Sequence, residues 1–160
     1  MRPQRSSTRL LLIALVALIA VAAALVSQHV FDMQPCPWCV LQRLIFVALA
    51  IAALLGLVWR SRTGLRISSG AVLVLALCGA AAALWQHFVA AASASCNLTL
   101  ADRLMGFTGL DRLLPPVFAA YASCADAKIN LLGVPYAFWS LALFVAITVA
   151  VVRPLTSANH

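Results

Sequence analysis

Charge is what this sequence has least of. Of 160 residues only 9% are charged, and the acids number four against eleven lysines and arginines. A soluble globular domain carries about a quarter charged residues, so a water-solvated surface is excluded. With 64% of the residues hydrophobic, most of the chain must be solvated by lipid. The partners of a zinc site are missing too. Cys36 and Cys39 form one Cys-x-x-Cys pair, but there is neither a second such pair nor a pair of histidines. Cys96 and Cys124 are too far apart in sequence, and His29 and His87 are isolated, so no metal is expected.

In place of charge stand four long apolar runs. Spans are expected at about residues 10–28, 40–58, 67–86 and 134–152, each near the ~20 residues that cross ~30 Å of hydrocarbon. The basic start followed by an apolar run and Val21-Ala22-Ala23-Ala24 has features of a cleavable signal. That run exceeds the usual signal core and further spans follow, so it is read as a retained first span. The expected fold is therefore an all-α, four-transmembrane-helix bundle, one integral membrane domain over residues 1–160. Its outer loops fall at about 29–39 and 87–133.

The formal charge of +7 would suit an acidic partner if it were spread over one surface. It is not. Arg2, Arg5, Arg9, Arg60, Arg62, Arg66 and Arg153 fall on one side of the spans. Arg103, Arg112 and Lys128 share the other with Asp32, Asp102, Asp111 and Asp126. By the positive-inside rule the first side, with both termini, is cytoplasmic. The excess charge serves topology, and no nucleic-acid partner is expected. Trp85 and Trp139 suit an aromatic belt at the outer face. Gly64 suits a turn between the second and third spans. In the long outer loop, Leu100, Leu104 and Phe107 recur at helical spacing. They would form a short helix in the membrane surface or a loop with scattered leucines, and Pro115-Pro116 should break any helix there.

Four of the five cysteines fall in the outer loops, on the side that permits disulfides. The working stretch is Pro35-Cys36-Pro37-Trp38-Cys39-Val40-Leu41-Gln42-Arg43. A Cys-x-x-Cys pair can cycle between dithiol and disulfide, and a helix N-terminus or a nearby cation favours its thiolate. A helix from Val40 onward would put Cys39 at its positive end and Arg43 one turn on, on the same face. An arginine inside a membrane span marks a function by default, although one so near the end could snorkel to the headgroups. A purely structural disulfide is the duller alternative, and so small a loop would add little stability. Cys96 and Cys124 would either staple the long loop or exchange with the first pair. Cys78, in mid-span, is expected to behave as a small hydrophobe in the core.

With these residues in place, the chain resembles the disulfide bond formation protein B (DsbB) family, bacterial membrane enzymes that reoxidise DsbA at the expense of a quinone. The most specific features are Cys36-x-x-Cys39 with Arg43 four residues on, the second pair Cys96 and Cys124, and Trp139 leading into the last span. The resemblance implies redox disulfides Cys36–Cys39 and Cys96–Cys124. It implies a ubiquinone or menaquinone cofactor met by Cys39 and Arg43, and a DsbA-like periplasmic thiol oxidase as partner. The pathway would run through a transient Cys36–Cys124 link in the bacterial inner membrane. His87 is similar to a quinone-proximal histidine, although it lies closer to Cys96 than in the family pattern. A protein similar to vitamin K epoxide reductase would have its loop pair before the Cys-x-x-Cys, not after it. A non-enzymatic four-span protein with inert disulfides is the remaining alternative.

Overall fold

A computed structural model describes residues 3–59, 61–90, 100–123, 130–131 and 133–156. Its four long helices are α1 (Pro3–Val30), α2 (Pro37–Trp59), α3 (Arg62–Phe88) and α7 (Tyr136–Thr156). Each is long and apolar enough to cross a membrane. The described residues between α3 and α7 include three short helices, α4 (Leu100–Thr108), α5 (Leu110–Leu113) and α6 (Pro115–Phe118). A two-residue antiparallel ladder, β1 (Asn130–Leu131) with β2 (Val134–Pro135), completes the elements.

The helix starts differ from the apolar runs, for local reasons. α2 begins at Pro37, three residues before Val40, because Cys36 caps it. The Cys36 carbonyl accepts from the Val40 amide at 3.0 Å, and its sulfur accepts from the Cys39 amide at 3.3 Å. Pro37 then fills the first helical position, where no amide hydrogen is needed. Gly64 is not in a turn. It lies in the first turn of α3, capped by Ser61, whose hydroxyl accepts from the Gly64 amide at 2.9 Å. α7 begins at Tyr136 because Val134 and Pro135 are held in the ladder, closed by Gly133 at φ 80°. Such a positive φ is open to glycine without steric cost.

The bundle packs in sequence order: α1 on α2, α2 on α3, and α3 on α7, while α1 and α7 meet only narrowly. Small residues (Ala14, Ala17, Ala50, Ala53 and Ala76 among them) line the core and let backbones approach closely. Phe46 of α2 stacks on Phe144 of α7, ring centres 4.2 Å apart. Gly79 of α3 sits directly against the Phe144 ring, where a Cβ would overlap it. The Ser68 hydroxyl of α3 donates to the Ala52 carbonyl of α2 at 2.6 Å. Large apolar side chains such as Leu11, Ile19, Leu55 and Ile67 point outward. Cys78 also faces outward rather than into the core, because its neighbour Gly79 takes the inward position.

The outer loop does form a helix at Leu100, and the stripe of Leu100, Leu104 and Phe107 is left exposed, the orientation of a helix that lies in a membrane surface. Ala101 and Met105, one turn apart, face the protein, and Phe107 is 92% exposed. Ala101 covers Cys36, Trp38 and Leu41, while Met105 and Phe118 cover Val40. Pro115-Pro116 ends α5 as expected, yet it also starts α6, since prolines are tolerated in a first helical turn.

Because the Phe144 ring occupies the space above Gly79, Gly79→Val should lower bundle stability by about 1–3 kcal/mol. Denaturant titration in micelles measures this, and in a chain already carrying Phe144→Ala the same substitution should cost less, because the ring it meets is gone.

Candidate functional site

The two sulfurs of the Cys-x-x-Cys pair lie together at one end of the bundle, 2.7 Å apart. Capping by Cys36 puts Cys39 in the first turn of α2, where unpaired amides and the helix dipole favour negative charge. Cys36 is fully buried beneath α4, and Cys39 is half-buried at the wall of a cavity.

Arg43 is one turn further along the same face. It does not snorkel, being only 5% exposed. Its Nη1 donates to Gln28 Oε1 of α1 at 2.8 Å and to the Val117 carbonyl of α6 at 2.6 Å. The second acceptor is available for a simple reason: a four-residue helix leaves its last carbonyls without intrahelical donors. Gln28 Nε2 and His29 Nε2 donate to the next such carbonyl, that of Pro116, at 3.3 and 3.2 Å. A central arginine costs about 2.5–3.5 kcal/mol on insertion scales. Each hydrogen bond to a charged group returns about 1.5–3 kcal/mol, so two bonds offset the burial only while α1 and α6 are docked. The Nε of Arg43 is buried with no hydrogen-bond partner among the described residues.

The cavity occupies about 220 Å³ where α1 and α7 fail to close. Ala20, Ala24 and Ser27 line it from α1, and Tyr136, Trp139 and Leu143 from α7. Cys39, Gln42, Arg43 and Phe46 of α2 and Gln86 of α3 form its floor. A smaller recess shares Cys39, Arg43 and Tyr136 and reaches Met33, Gln34 and Pro35 of the first outer loop. An apolar slot with a few convergent polar groups is the usual form of a small-molecule site.

Of the residues singled out from the sequence, Cys36, Cys39 and Arg43 are brought together. His87 is not among those lining the cavity; its ring packs against Phe138, centres 4.5 Å apart. The neighbouring Gln86, one step of about 100° around α3, faces the cysteine instead and donates to Cys39 Sγ at 3.1 Å. Gln28, Gln42, Gln86 and Tyr136 join the site without any motif that assigns them a role. The only signal in the chain was an amide inside or beside an apolar run, where polar groups are costly. Cys96 and Cys124 lie outside the described residues. The segment before Cys124 is anchored, however: the amides of Tyr121 and Ala122 donate to the Pro35 carbonyl at 3.0 and 3.3 Å, next to Cys36.

A four-helix membrane protein with a cysteine pair at the mouth of a cavity between helices is thus the class that fold and site define. The family model for disulfide bond formation protein DsbB matches residues 6–153. A disulfide bond formation protein B from Aromatoleum aromaticum is 34% identical over 149 residues, 89% of each chain. One from Polaromonas naphthalenivorans is 37% identical over 142 residues, covering 85% of this chain and 84% of its own. One from Pseudomonas syringae pv. tomato is 30% identical over 149 residues, 92% of this chain and 88% of its own. The chain belongs to the DsbB family, and is on that ground a membrane disulfide oxidoreductase.

Gln28 links the buried cation to both α1 and α6. Gln28→Leu should therefore cost about 1–3 kcal/mol of stability, measured by denaturant unfolding in micelles. Proteolysis within residues 113–118 should accelerate in parallel as α6 loosens.

Proposed function

We propose that this protein reoxidises a DsbA-like periplasmic dithiol protein and passes the electrons to a membrane quinone, ubiquinone or menaquinone. The observation that carries this reading is that Cys39 and the buried cation Arg43 line one cavity between the helices. A quinone offers an apolar body for the slot and a carbonyl oxygen on which a nearby guanidinium can stabilise negative charge. The narrow α1–α7 contact supports entry from the lipid side.

In this reading Cys96–Cys124 is the disulfide that the partner's dithiol reduces, by attack of a thiolate on a disulfide sulfur. The partner's cysteines become a disulfide, and Cys96 and Cys124 become thiols. Electrons move inward through a Cys36–Cys124 mixed disulfide, which the anchoring of Tyr121 and Ala122 on Pro35 supports. Exchange leaves Cys36 and Cys39 as a dithiol and restores Cys96–Cys124. Oxidation of that dithiol forms the Cys36–Cys39 bond and releases two electrons and two protons. A quinone, when bound, takes up both. DsbA-like proteins are strong oxidants, at about −120 mV, so the final acceptor must be stronger still. The positive end of α2 and the Arg43 guanidinium would stabilise negative charge on Cys39 and on a reduced quinone oxygen alike. This is preorganised electrostatics in a water-poor site.

The orientation in this reading rests on Arg9, Arg62, Arg66 and Arg153, which lie toward the bundle end away from the cysteines. With that end cytoplasmic, the cysteine pair faces the periplasm of a bacterial inner membrane.

Incubating the purified protein with a reduced DsbA-like protein and quinone, then counting thiols by alkylation, tests this function. Partner thiols should disappear catalytically and in step with quinol formation, and a constant thiol count would refute it. Arg43→Ala should slow quinone reduction by roughly 10²-fold. Unchanged turnover would remove Arg43 from the reaction.

A further inference from the structure

The quinone-reducing reading uses Cys39 and Arg43 and leaves two buried amides without a task. Gln42 is 3% exposed and Gln86 7%. Gln42 Nε2 donates to Gln86 Oε1 at 2.5 Å, and Gln86 Nε2 donates to Cys39 Sγ at 3.1 Å. The chain of bonds therefore runs from α2 to α3 and back to the cysteine on α2. Both side chains line the cavity that Cys39 and Arg43 share.

We infer that Gln86 is a functional hydrogen-bond donor to the Cys39 sulfur, and that Gln42 is a positioning residue that fixes which end of the Gln86 amide the sulfur meets. A primary amide offers a donor and an acceptor of nearly equal size. Turned one way, Gln86 would hold an N–H on the sulfur; turned the other way, it would present a carbonyl oxygen that repels a thiolate. The Gln42 N–H occupies that carbonyl and selects the first arrangement. A neutral thiol or disulfide sulfur accepts weakly, whereas a thiolate accepts a charge-assisted bond roughly twice as strong as a neutral one. The contact thus tightens in the charged state of Cys39 and weakens when the disulfide forms. The pair carries no net charge, so it adds a directed donor within the bundle without requiring a counter-ion. It approaches from α3, and so complements the Arg43 charge, which is built on α2 itself.

The inference rests on the proposed role of Cys39, but it is tested without quinone or partner protein. The reduced, full-length protein in nanodiscs is treated with iodoacetamide at neutral pH, and the rate at each cysteine is followed by peptide mass mapping. Met replaces Gln with similar length and no donor. In Gln86→Met, Cys39 should react about fivefold more slowly. This allows for the lost charge-assisted bond and the partly compensating nucleophilicity of a more basic thiolate. In Gln42→Met, whose side chain leaves Gln86 free to turn, the Cys39 rate should fall between that value and the wild type. Cys96 and Cys124 in the same samples should keep their rates, and the two variants should lower the unfolding midpoint to a similar extent, since each leaves the other amide without its partner. An unchanged Cys39 rate in Gln86→Met would overturn the assignment, and so would an equal slowing at all the cysteines, which would report a general rearrangement. A wild-type rate in Gln42→Met would overturn its positioning role. Failure of the wild-type protein to oxidise a partner with quinone would instead strike the proposed function, and is read in a separate assay.

Discussion

One buried cation organises the cysteine end of this bundle. Arg43 projects from an apolar helix and is buried, and a charge there persists only where acceptors are fixed around it. α1 supplies Gln28, and α6 supplies the carbonyl of Val117. The short outer helices are therefore structural parts of the site and not a passive connection. Their carbonyls are what the guanidinium and Gln28 bind, and Ala101, Met105 and Phe118 close over the start of α2. Cys36 is dry because of that roof, and Cys39 is accessible because the roof stops short of the α1–α7 seam.

The four seams of the bundle are not equivalent. Three are filled by close packing: Leu10 of α1 against Gly56 of α2, Ser68 of α3 against the same glycine, and Phe144 of α7 over Gly79 of α3. The fourth, between α1 and α7, has alanines and Ser27 on one wall and Tyr136, Trp139 and Leu143 on the other, with a cavity left between them. Polar groups enter that cavity only at the level of the cysteines. An apolar ligand could lie along the seam while its polar end met a single cation, a sulfur and two neutral amides. Such a division of labour, with shape from small residues and orientation from a few buried polar groups, is common in small-molecule sites.

Membership of the DsbB family gives the class of chemistry, and the geometry brings Cys36, Cys39 and Arg43 together at one end of the bundle. The family match spans residues 6–153 and so covers every long helix and both cysteine-bearing loops. The geometry adds what a family match does not contain: the acceptors that hold Arg43, the capping of α2 by Cys36, and the amide relay behind Cys39.

The chain by itself determined the number of long helices, the end at which basic residues gather, and the closeness of Cys36, Cys39 and Arg43. These are set by hydropathy over some twenty residues, by composition, and by separations within two helical turns, all of which are local. It could not decide between His87 and Gln86, since one helical step chooses which faces the cavity, and that rotation is set by how α3 packs on α2 and α7. Nor could it show that Ala101 and Met105 would be the residues of α4 to pack inward. The choice depends on the space above Cys36 and Val40. Only the tertiary structure supplies partners distant in sequence, such as Val117 for Arg43 and Gln86 for Cys39, because a buried polar group takes whichever acceptor or donor the packing brings to it.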